Sequence, residues 1–435
     1  MSASASSSPS ISPPISKHDA RPLIVFDDGK GTFGPLTDLR AAFELRAGVG
    51  TMLERIEAAV GRKASALIVN PNMAVVVGES TARMTNALPD GEEFLVVNGR
   101  LLSVDHAFAA RGEVVVDAEG TLVCSSVCAS VCASWARAAV LNLDCTALPA
   151  PKTVHAQLAK APWDITSRIG TSLDEDLRMA DPAGPLGASV NRQLRPDEGQ
   201  SFGTHAIRID PSASIGPLCV IDASKGPVII GANVVLRPLC VVVGPCAVLE
   251  GSTVSERALL KGSTVIGPHC RAGGEIGGTI FQSYSNKSHD GHLGDSFVGE
   301  WVNIGAGTDN SNLLNTYGEI IVRLEADSGL LRTGRQFWGS ILGDHAKLAI
   351  GTRLMTGTTV GTGAMIAQSR PPAALVARFS WLVDGGDASR NEAPKSFRFD
   401  KFIETARAMM SRRGKSPSAA VQERLRTLHA KATGV

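Results

Sequence analysis

The chain has 435 residues, 43% of them hydrophobic, which is enough for two or three domains with a sizeable core. Its 43 Lys and Arg residues balance 42 Asp and Glu residues, which argues against nucleic acid or an anionic membrane as a partner. No apolar run approaches the roughly 20 residues that cross a bilayer, and the N-terminus lacks a secretion-signal pattern, so we expect a cytoplasmic protein. The 45 glycines and 5% aromatic residues predict an aliphatic core with frequent tight turns.

The first part of the chain has the pattern of a disordered tail followed by an α/β domain. Residues 1–20 are rich in Ser, Pro and Ala and bury too little surface to offset their ordering entropy. Residues 21–204 alternate helical spacing with short apolar runs of strand length. These runs are Leu23–Phe26, Ala66–Val69 and Phe94–Val97. We expect a hairpin over residues 113–124, a helix around Trp135 and a Pro/Gly-rich linker over residues 182–203.

Three of the eight cysteines recur at every fourth residue: Cys124, Cys128 and Cys132. This spacing would align them along one stripe of a helix, where they could ligate a cluster or relay electrons. Cysteine is also a small apolar residue that packs well, and this is the favoured interpretation. Because the cysteines are spread over a long chain, we expect reduced thiols rather than a disulfide framework.

After Ile207 the sequence becomes periodic, with an aliphatic residue at every sixth position. The longest run is Ile230, Leu236, Val242, Val248, Val254, Leu260 and Ile266. At 43% hydrophobic residues, seven consecutive hits have a chance of about 0.003, so the repeat is not accidental. A six-residue period predicts a parallel β-helix, in which each hexad forms one strand and a corner and three hexads complete a coil. The aliphatic residues would stack inside at the strand spacing of about 4.8 Å.

We expect this β-helix to span residues 205–370 and a helical extension to span residues 371–435. The hexads break at residues 273–292 and 313–338, and both breaks are predicted to leave the coil as loops, where chemistry is often placed.

The extension is predicted to contain two helices. In the first, Asp400 would be the N-cap and Gly414 the C-terminal cap, and the second would run over residues 419–429. The extension also carries a basic cluster, consisting of Arg407, Arg412, Arg413 and Lys415. The favoured interpretation of this cluster is a solvated helix face, and the alternative is a phosphate contact.

The densest polar segment reads SNKSHDGHLGD from Ser285 and continues as VGEWVNIGAGT from Val298. The pattern H-x-x-x-LGD-x-x-(I/V)G-x-x-VNIGAGT resembles the acetyltransferase half of the bifunctional N-acetylglucosamine-1-phosphate uridyltransferase and glucosamine-1-phosphate N-acetyltransferase family. The whole chain resembles a divergent sugar nucleotidyltransferase branch of that family. Its members join a reduced nucleotidyltransferase-like (Rossmann-like) α/β domain to a left-handed parallel β-helix, so this order is the expected fold.

The resemblance implies acetyl transfer from acetyl-CoA to an amino-sugar 1-phosphate by a homotrimer, with His289 as catalytic base. A neutral imidazole, with an unperturbed pKa of about 6.5, can accept a proton from an attacking amine near pH 7. The resemblance implies these substrate ligands: Lys287, His292, Asn303 and Asn312. It places the acyl-CoA thioester beside Gly305 and Ala306, whose turn could stabilise an oxyanion with backbone N–H groups. His292 stands where the family has tyrosine.

Two other roles are open for His289. The first is a structural hydrogen bond. The second is zinc binding with His269 and His292, since gamma-class carbonic anhydrases hold zinc with three histidines on a left-handed β-helix. The spacing of these histidines does not resemble that family.

The N-terminal segment FDDGKGT follows an apolar strand, and its GKGT is similar to the Gly-rich loop of sugar nucleotidyltransferases. Glycines let the backbone approach phosphates and lysine adds charge. The resemblance thus implies nucleotide binding by Gly29, Lys30, Gly31, Thr32 and Arg40. The sequence departs from the family's pattern at two places, and both weaken the expectation of Mg²⁺-assisted nucleotidyl transfer. Phe33 replaces the family's arginine, and Asn98-Gly99-Arg100 replaces its metal-binding Gly-Asp.

The leading hypothesis is an N-acyltransferase acting on an amino-sugar phosphate. A sugar-1-phosphate nucleotidyltransferase activity that uses Mg²⁺ and yields a UDP-sugar is a further expectation. The alternative is a non-catalytic protein that binds nucleotide sugars or acts as a scaffold, with a degenerate nucleotidyltransferase domain.

Overall fold

The computed structural model describes residues 20–104, 108–138, 150–179, 186–384 and 395–434. The predicted disordered tail, residues 1–20, lies outside these residues except for Ala20. The first part of the predicted linker, residues 182–185, also lies outside them. In the described part of the chain, no helix is both long and apolar enough to cross a bilayer.

A mostly parallel sheet forms the centre of the N-terminal domain, in the strand order β3-β2-β1-β4-β6-β5-β7. Its strands are β1 (Leu23–Phe26), β2 (Ala66–Ile68), β3 (Met84–Thr85), β4 (Glu93–Asn98), β5 (Val114–Val116), β6 (Leu122–Cys128) and β7 (Lys152–Thr153). Its helices are α1 (Met52–Val60), α2 (Ala74–Thr81), α3 (Ala129–Ala138), α4 (Pro162–Thr166) and α5 (Ile169–Arg178). Three 3-10 turns cover Gly34–Thr37, Ala42–Glu44 and Pro71–Met73. β1 pairs in parallel with β2 and β4, and apolar side chains cover both faces, which explains its continuous apolar sequence.

The predicted hairpin of β5 and β6 is present, but the predicted cysteine stripe is wrong. Cys124 and Cys128 lie on strand β6, and only Cys132 lies on helix α3. Cys124 packs on one side of the sheet and Cys132 on the other, while Cys128 is exposed. Antiparallel pairing of β6 with β4 outweighs the four-residue spacing, since it buries a run of apolar residues between neighbouring strands.

A parallel β-helix follows, as the hexads predict. Its strands up to the first hexad break are β8 (Val190–Asn191), β9 (Gly199–Gly203), β10 (Ile207–Ile209), β11 (Ser214–Ile215), β12 (Cys219–Ala223), β13 (Val228–Ile230), β14 (Val235–Leu236), β15 (Val241–Val243), β16 (Cys246–Val248), β17 (Thr253–Val254), β18 (Leu259–Leu260), β19 (Thr264–Ile266) and β20 (Arg271–Ala272). The next are β21 (Glu275–Gly277), β22 (Ile280–Phe281), β23 (Asn286–Lys287), β24 (His292–Gly294), β25 (Phe297–Val298), β26 (Asn303–Ile304), β27 (Asp309–Asn310), β28 (Ile321–Val322) and β29 (Leu331–Arg332). The last are β30 (Ile341–Leu342), β31 (Lys347–Leu348), β32 (Arg353–Leu354), β33 (Thr359–Val360), β34 (Met365–Ala367), β35 (Leu375–Val376), β36 (Ser380–Val383) and β37 (Lys395–Ser396).

These strands form three sheets that run along the coil axis. The covered face contains β8, β10, β13, β16, β19, β22, β25, β30, β33 and β35. The Asn303 face contains β11, β14, β17, β20, β23, β26, β31, β34, β36 and β37. The His292 face contains β9, β12, β15, β18, β21 and β24, and β27 pairs with β32 further along the coil. The predicted hexad residues from Ile230 to Ile266 are buried together in the interior, where each aliphatic side chain contributes about 1.5–3 kcal/mol on burial.

The first hexad break does not leave the coil, so that prediction is wrong. Val248 pairs with Ile266, 18 residues further along, whereas Ile266 pairs with Phe281 after only 15. The coil is therefore shortened by three residues while its strands keep their pairing. Backbone hydrogen bonds between neighbouring coils survive this shortening, because a corner can lose residues without loss of a strand.

The second break does leave the coil, as predicted. Phe297 pairs with Ile341, so about a coil and a half of extra chain separates paired strands. The inserted segment carries the antiparallel pair β28–β29. The linker predicted over residues 182–203 is wrong in its second part, because β8 and β9 pair with β10 and β12 and begin the β-helix.

The N-terminal domain packs on the covered face. Outward side chains such as Val265, Phe297 and Ile341 share one apolar cluster with Phe33 and Leu36 of the N-terminal domain. Trp163 meets Trp338 edge to face, with ring centroids 5.6 Å apart. This packing places Phe33 and Leu36, which directly follow the Gly-rich loop, against the β-helix.

The helical extension consists of α6 (Phe399–Ser411) and α7 (Ala419–Thr433). The predicted N-cap is wrong: Arg398 is the N-cap, and Asp400 lies in the first turn, where its charge still favours the helix N-terminus. Asp400 Oδ2 pairs with Arg398 Nη2 at 2.5 Å, and no side-chain hydrogen bond caps the start of α6.

Candidate functional site

His289 lies on an exposed corner between the Asn303 face and the His292 face. Asn286 pairs with Asn303, so the corner that carries His289 stacks on the corner Gly305–Thr308 of the next coil. At Gly291 a Cβ would lie 2.2 Å from the Thr308 carbonyl oxygen, which shows how closely the two corners approach. Asn303 is exposed on the adjoining strand. The structure thus brings His289, Asn303, Gly305 and Ala306 together at one edge of the β-helix.

Lys287 occupies an interior position of the coil, in register with Ala272. Its ammonium group donates to four carbonyl oxygens: those of Gly273 at 3.3 Å, His289 at 3.2 Å, Asp290 at 3.0 Å and Gly291 at 2.7 Å. Burial lowers the pKa of Lys287 to about 8. The lysine therefore fastens the corner that carries His289, and its ammonium group does not face solvent.

Lys287→Met should change the pH dependence of stability. Between pH about 8 and 10.5 the native lysine releases its proton while the unfolded chain keeps it, so the free energy of unfolding of the wild type rises with pH in this window. Urea unfolding at several pH values should show this slope in the wild type and in Lys225→Met, an exposed site on the same β-helix. Parallel curves for the wild type and Lys287→Met would contradict the buried ammonium group.

His292 and Asn312 form a second group around Gly294. His292 Nδ1 lies 3.2 Å from the Asn310 carbonyl oxygen, and Asn312 Nδ2 donates to Asp295 Oδ2 at 2.6 Å. A Cβ at Gly294 would lie 2.7 Å from both His292 Cε1 and Asn312 Nδ2, so the glycine allows the two side chains to approach. Three residues of chain connect this group to His289.

Basic side chains lie beside Asn286, on the strand that leads to the His289 corner. Arg413, at the end of α6, donates from Nη2 to Asn286 Oδ1 at 3.1 Å. Arg271 is exposed and in register with Asn286, one coil further from Asn303. The favoured interpretation of the basic cluster, a solvated helix face, is therefore wrong for Arg413, which is half-buried against the β-helix. No local pattern in the sequence signals this contact, because more than 120 residues separate its partners.

The three histidines of the zinc alternative do not converge. The ring of His269 stacks on Tyr284 with centroids 4.9 Å apart, and Tyr284 stacks on Trp301 at 4.4 Å. This ring stack lies on a different corner from His289. Throughout the described residues, no group of three or more His, Cys, Asp or Glu side chains could hold a metal ion.

The Gly-rich loop lines a cavity of about 220 Å³ together with Arg40. Three of its backbone N–H groups are already engaged: Gly29 donates to Asp27 Oδ1, Lys30 to Asp28 Oδ1 and Thr32 to the Lys160 carbonyl oxygen. The ring of Phe33 covers Gly31, where a Cβ would lie 2.1 Å from Phe33 Cε2. The loop therefore offers a phosphate fewer backbone donors than its sequence suggests.

The donors beside this loop do not fit Mg²⁺. Arg100 donates from Nε to Asp28 Oδ1 at 2.7 Å and from Nη2 to Asp28 Oδ2 at 2.6 Å, and Asn98 adds a third bond at 2.9 Å. Burial would raise the pKa of Asp28, but Arg100 and Asn98 outweigh burial and lower it. A guanidinium thus already neutralises the carboxylate that a metal ion would need.

The side chain of Arg40 joins the N-terminal domain to the β-helix, and its guanidinium is not free to bind a phosphate. Its Nη1 lies 2.9 Å from Asp344 Oδ1, and its Nη2 lies 3.1 Å from Glu300 Oε2. Nη1 also donates to the Leu36 carbonyl oxygen at 3.0 Å. Burial opposes the charge of Arg40, but the two carboxylates outweigh burial and raise its pKa. This predicted nucleotide ligand is therefore committed to the domain interface.

The structure thus joins an α/β domain with a mostly parallel sheet to a parallel β-helix. Residues 23–181 match the family model for sugar nucleotidyl transferases. The chain is similar to proteins described as bifunctional protein GlmU.

The similarity to these relatives is partial. Identity to the Ruthia magnifica protein is 25% over 181 residues, covering 36% of this chain and 37% of that protein. Identity to the Nitrosospira multiformis protein is 26% over 228 residues, covering 48% and 42%. The matches thus span less than half the length of these curated relatives. Among solved structures, Francisella novicida UDP-N-acetylglucosamine acyltransferase is 15% identical with a TM-score of 0.27, covering 54% of this chain and 90% of that chain.

Proposed function

We propose that the chain is an acyl-CoA-dependent N-acyltransferase that acts on an amino-sugar phosphate. The observation that carries this proposal is the stacking of the exposed His289 corner on the Gly305–Thr308 corner, with Asn303 beside it. In this scheme the substrate would lie across two coils, between the imidazole and the glycine-rich turn.

His289 acts as general base in the proposed reaction. Its imidazole takes a proton from the sugar amine as the nitrogen attacks the thioester carbonyl carbon. The new C–N bond forms, the C–S bond breaks, and the proton passes to the departing CoA thiolate. Backbone N–H groups of the turn that contains Gly305 and Ala306 stabilise the oxyanion. Acetyl-CoA is the proposed donor.

The remaining polar groups bind the sugar phosphate. Asn303 and the His292–Asn312 group contact sugar hydroxyls, and Arg413 and Arg271 neutralise the phosphate. Lys287 acts indirectly in this proposal, because its ammonium group holds the His289 corner from inside. We further propose a homotrimer, since apolar side chains at corners of the coil are exposed, with Leu218 at 68% and Ile350 at 79%.

Wild-type protein with acetyl-CoA and glucosamine 1-phosphate tests the proposal directly. Release of CoA thiol should depend on the amino sugar phosphate and should not occur with N-acetylglucosamine 1-phosphate, which lacks the free amine. No acceptor-dependent release with any amino-sugar phosphate would refute the acyltransferase function.

Arg413→Ala should raise the KM for glucosamine 1-phosphate roughly tenfold, as expected for loss of one hydrogen-bonded charge. The KM for acetyl-CoA should not change. Arg412→Ala removes the neighbouring charge on the same helix and serves as the control. Equal KM values for wild type and Arg413→Ala would remove this residue from the phosphate site.

The Asp28–Arg100 pair favours a second candidate for the N-terminal domain, namely binding without metal-dependent nucleotidyl transfer. A protein without catalytic activity in either domain, acting as a scaffold, is the alternative for the whole chain. Calorimetry with UTP, UDP-N-acetylglucosamine and acetyl-CoA separates the acyltransferase from the scaffold, because an acyltransferase binds acetyl-CoA and a pure scaffold binds none of the three.

A further inference from the structure

A cavity of about 220 Å³ lies between the Gly-rich loop, the segment that follows β2 and the C-terminal helix α7. Its walls include Gly29, Gly31, Asn70, Asn72 and Arg424. Small-molecule sites usually occupy about 300–1,000 Å³, so this volume suits a phosphate and its adjoining group rather than an entire dinucleotide. The residue from α7 is the unexpected part, since it lies nearly 400 residues from the loop in the sequence.

Arg424 differs from the other arginine of this cavity. Arg40 is paired with Asp344 and Glu300, whereas Arg424 makes no ion pair with any carboxylate in the described part of the chain. Its Nε donates to the Asp38 carbonyl oxygen at 2.9 Å, which leaves the two Nη groups for other acceptors. The Asp38 carboxylate is held by Arg378, at 2.7 and 2.8 Å, and is not free to neutralise Arg424.

Helix α7 holds Arg424 in a defined position. Ser418 caps the helix by accepting from the Val421 N–H at 3.2 Å, and it also contacts Glu79 of α2. Leu425 and Leu428 are buried in the cluster that joins the extension to the β-helix. The Ser418 cap lies before Arg424 in α7 and the two buried leucines lie after it. Because both sides are anchored, α7 holds the guanidinium of Arg424 at the cavity wall.

The loop lines the cavity without a cation of its own, because Lys30 is not among the residues that line it. The N–H groups of Gly29, Lys30 and Thr32 are engaged within the protein, and Arg100 already neutralises Asp28 where a metal ion would act. A guanidinium binds phosphate oxygens in a bidentate manner and keeps its charge at all physiological pH values. Arg424 can therefore supply what the loop lacks.

We propose that this cavity binds the phosphate group of a nucleotide or sugar phosphate without a metal ion, and that Arg424 of the C-terminal extension is its principal cation. The site is distinct from the His289 corner and does not depend on acyl transfer there. Phosphate binding would link α7 to the N-terminal domain through the ligand itself.

Calorimetry on the full chain without divalent cations tests the proposal. UTP, glucosamine 1-phosphate and inorganic phosphate distinguish a nucleotide, a sugar phosphate and phosphate alone as the bound species. For the ligand that binds most tightly, Arg424→Ala should raise the dissociation constant by roughly 10- to 100-fold, the effect of losing a hydrogen-bonded charge. Because glucosamine 1-phosphate is also the proposed acyl acceptor, its titrations are repeated in His289→Ala and Arg413→Ala to separate the two sites.

Two further variants keep the result interpretable. Arg424→Gln retains a donor for the Asp38 carbonyl oxygen but removes the charge, so it should weaken binding as much as Arg424→Ala without disturbing α7. Arg426→Ala, on the same helix beside Phe399 and Glu423, should bind as the wild type does. Absence of binding by the wild type, or equal affinity in wild type and both Arg424 variants, would overturn the proposal.

Discussion

His289→Ala should lower the kcat/KM of acetyl transfer by roughly 100- to 10,000-fold, the contribution typical of a general base. The loss is expected because the imidazole would no longer take the proton from the attacking amine. His289 is exposed at a corner, so the substitution should leave the free energy of unfolding nearly unchanged. The measurement is the rate of CoA thiol release with acetyl-CoA and glucosamine 1-phosphate.

His205→Ala is the matched control for this substitution. His205 is also exposed and lies near the first coils of the same β-helix, far along the axis from the proposed site. Its removal should not affect the rate. If His289→Ala and the wild type had equal rates, His289 would have no part in the mechanism.

Arg40→Ala should destabilise the protein by about 3–5 kcal/mol, because it leaves the fully buried Asp344 without its partner. Glu300, which is about one-quarter exposed, would also lose its partner but can be rehydrated more easily. Urea unfolding measures the change as a lower midpoint at constant slope. The effect should be large because this arginine links the N-terminal domain to two coils of the β-helix.

Arg398→Ala provides the comparison, since it breaks an exposed ion pair with Asp400 and should change the free energy of unfolding far less. The structural role of Arg40 would be contradicted if Arg40→Ala left the free energy of unfolding unchanged and abolished nucleotide binding. That outcome would restore the ligand role that the resemblance implied for Arg40.

The solenoid could be predicted from sequence because each interior position repeats every six residues. Ile230 through Ile266 satisfy that period and are buried together. The period fails at Lys287, where a lysine takes an interior position because four carbonyl oxygens of the shortened coil surround its ammonium group within hydrogen-bond distance. A pattern of apolar residues cannot reveal such a lysine, and for this reason residues 273–292 were expected to leave the coil.

The candidate site was predictable only where its parts lie on neighbouring coils. His289 and Ala306 are 17 residues apart, the same offset as the paired Asn286 and Asn303, so a local motif contains both corners. The partners of Arg40 and Arg424 come from distant parts of the chain, and Arg40 lies 304 residues from Asp344. Such contacts depend on how the domain and the extension pack on the β-helix, which local periodicity does not contain.

Acyl transfer by the β-helix to an amine would form a new amide bond. Nuclear magnetic resonance with isotope-labelled acetyl-CoA and glucosamine 1-phosphate follows the labelled carbonyl carbon through the reaction of the wild-type protein. We predict that the label leaves the thioester and appears as an amide on the sugar nitrogen. Persistence of the thioester, or conversion of the label to free acetate alone, would show that the protein does not transfer the acyl group to the amine.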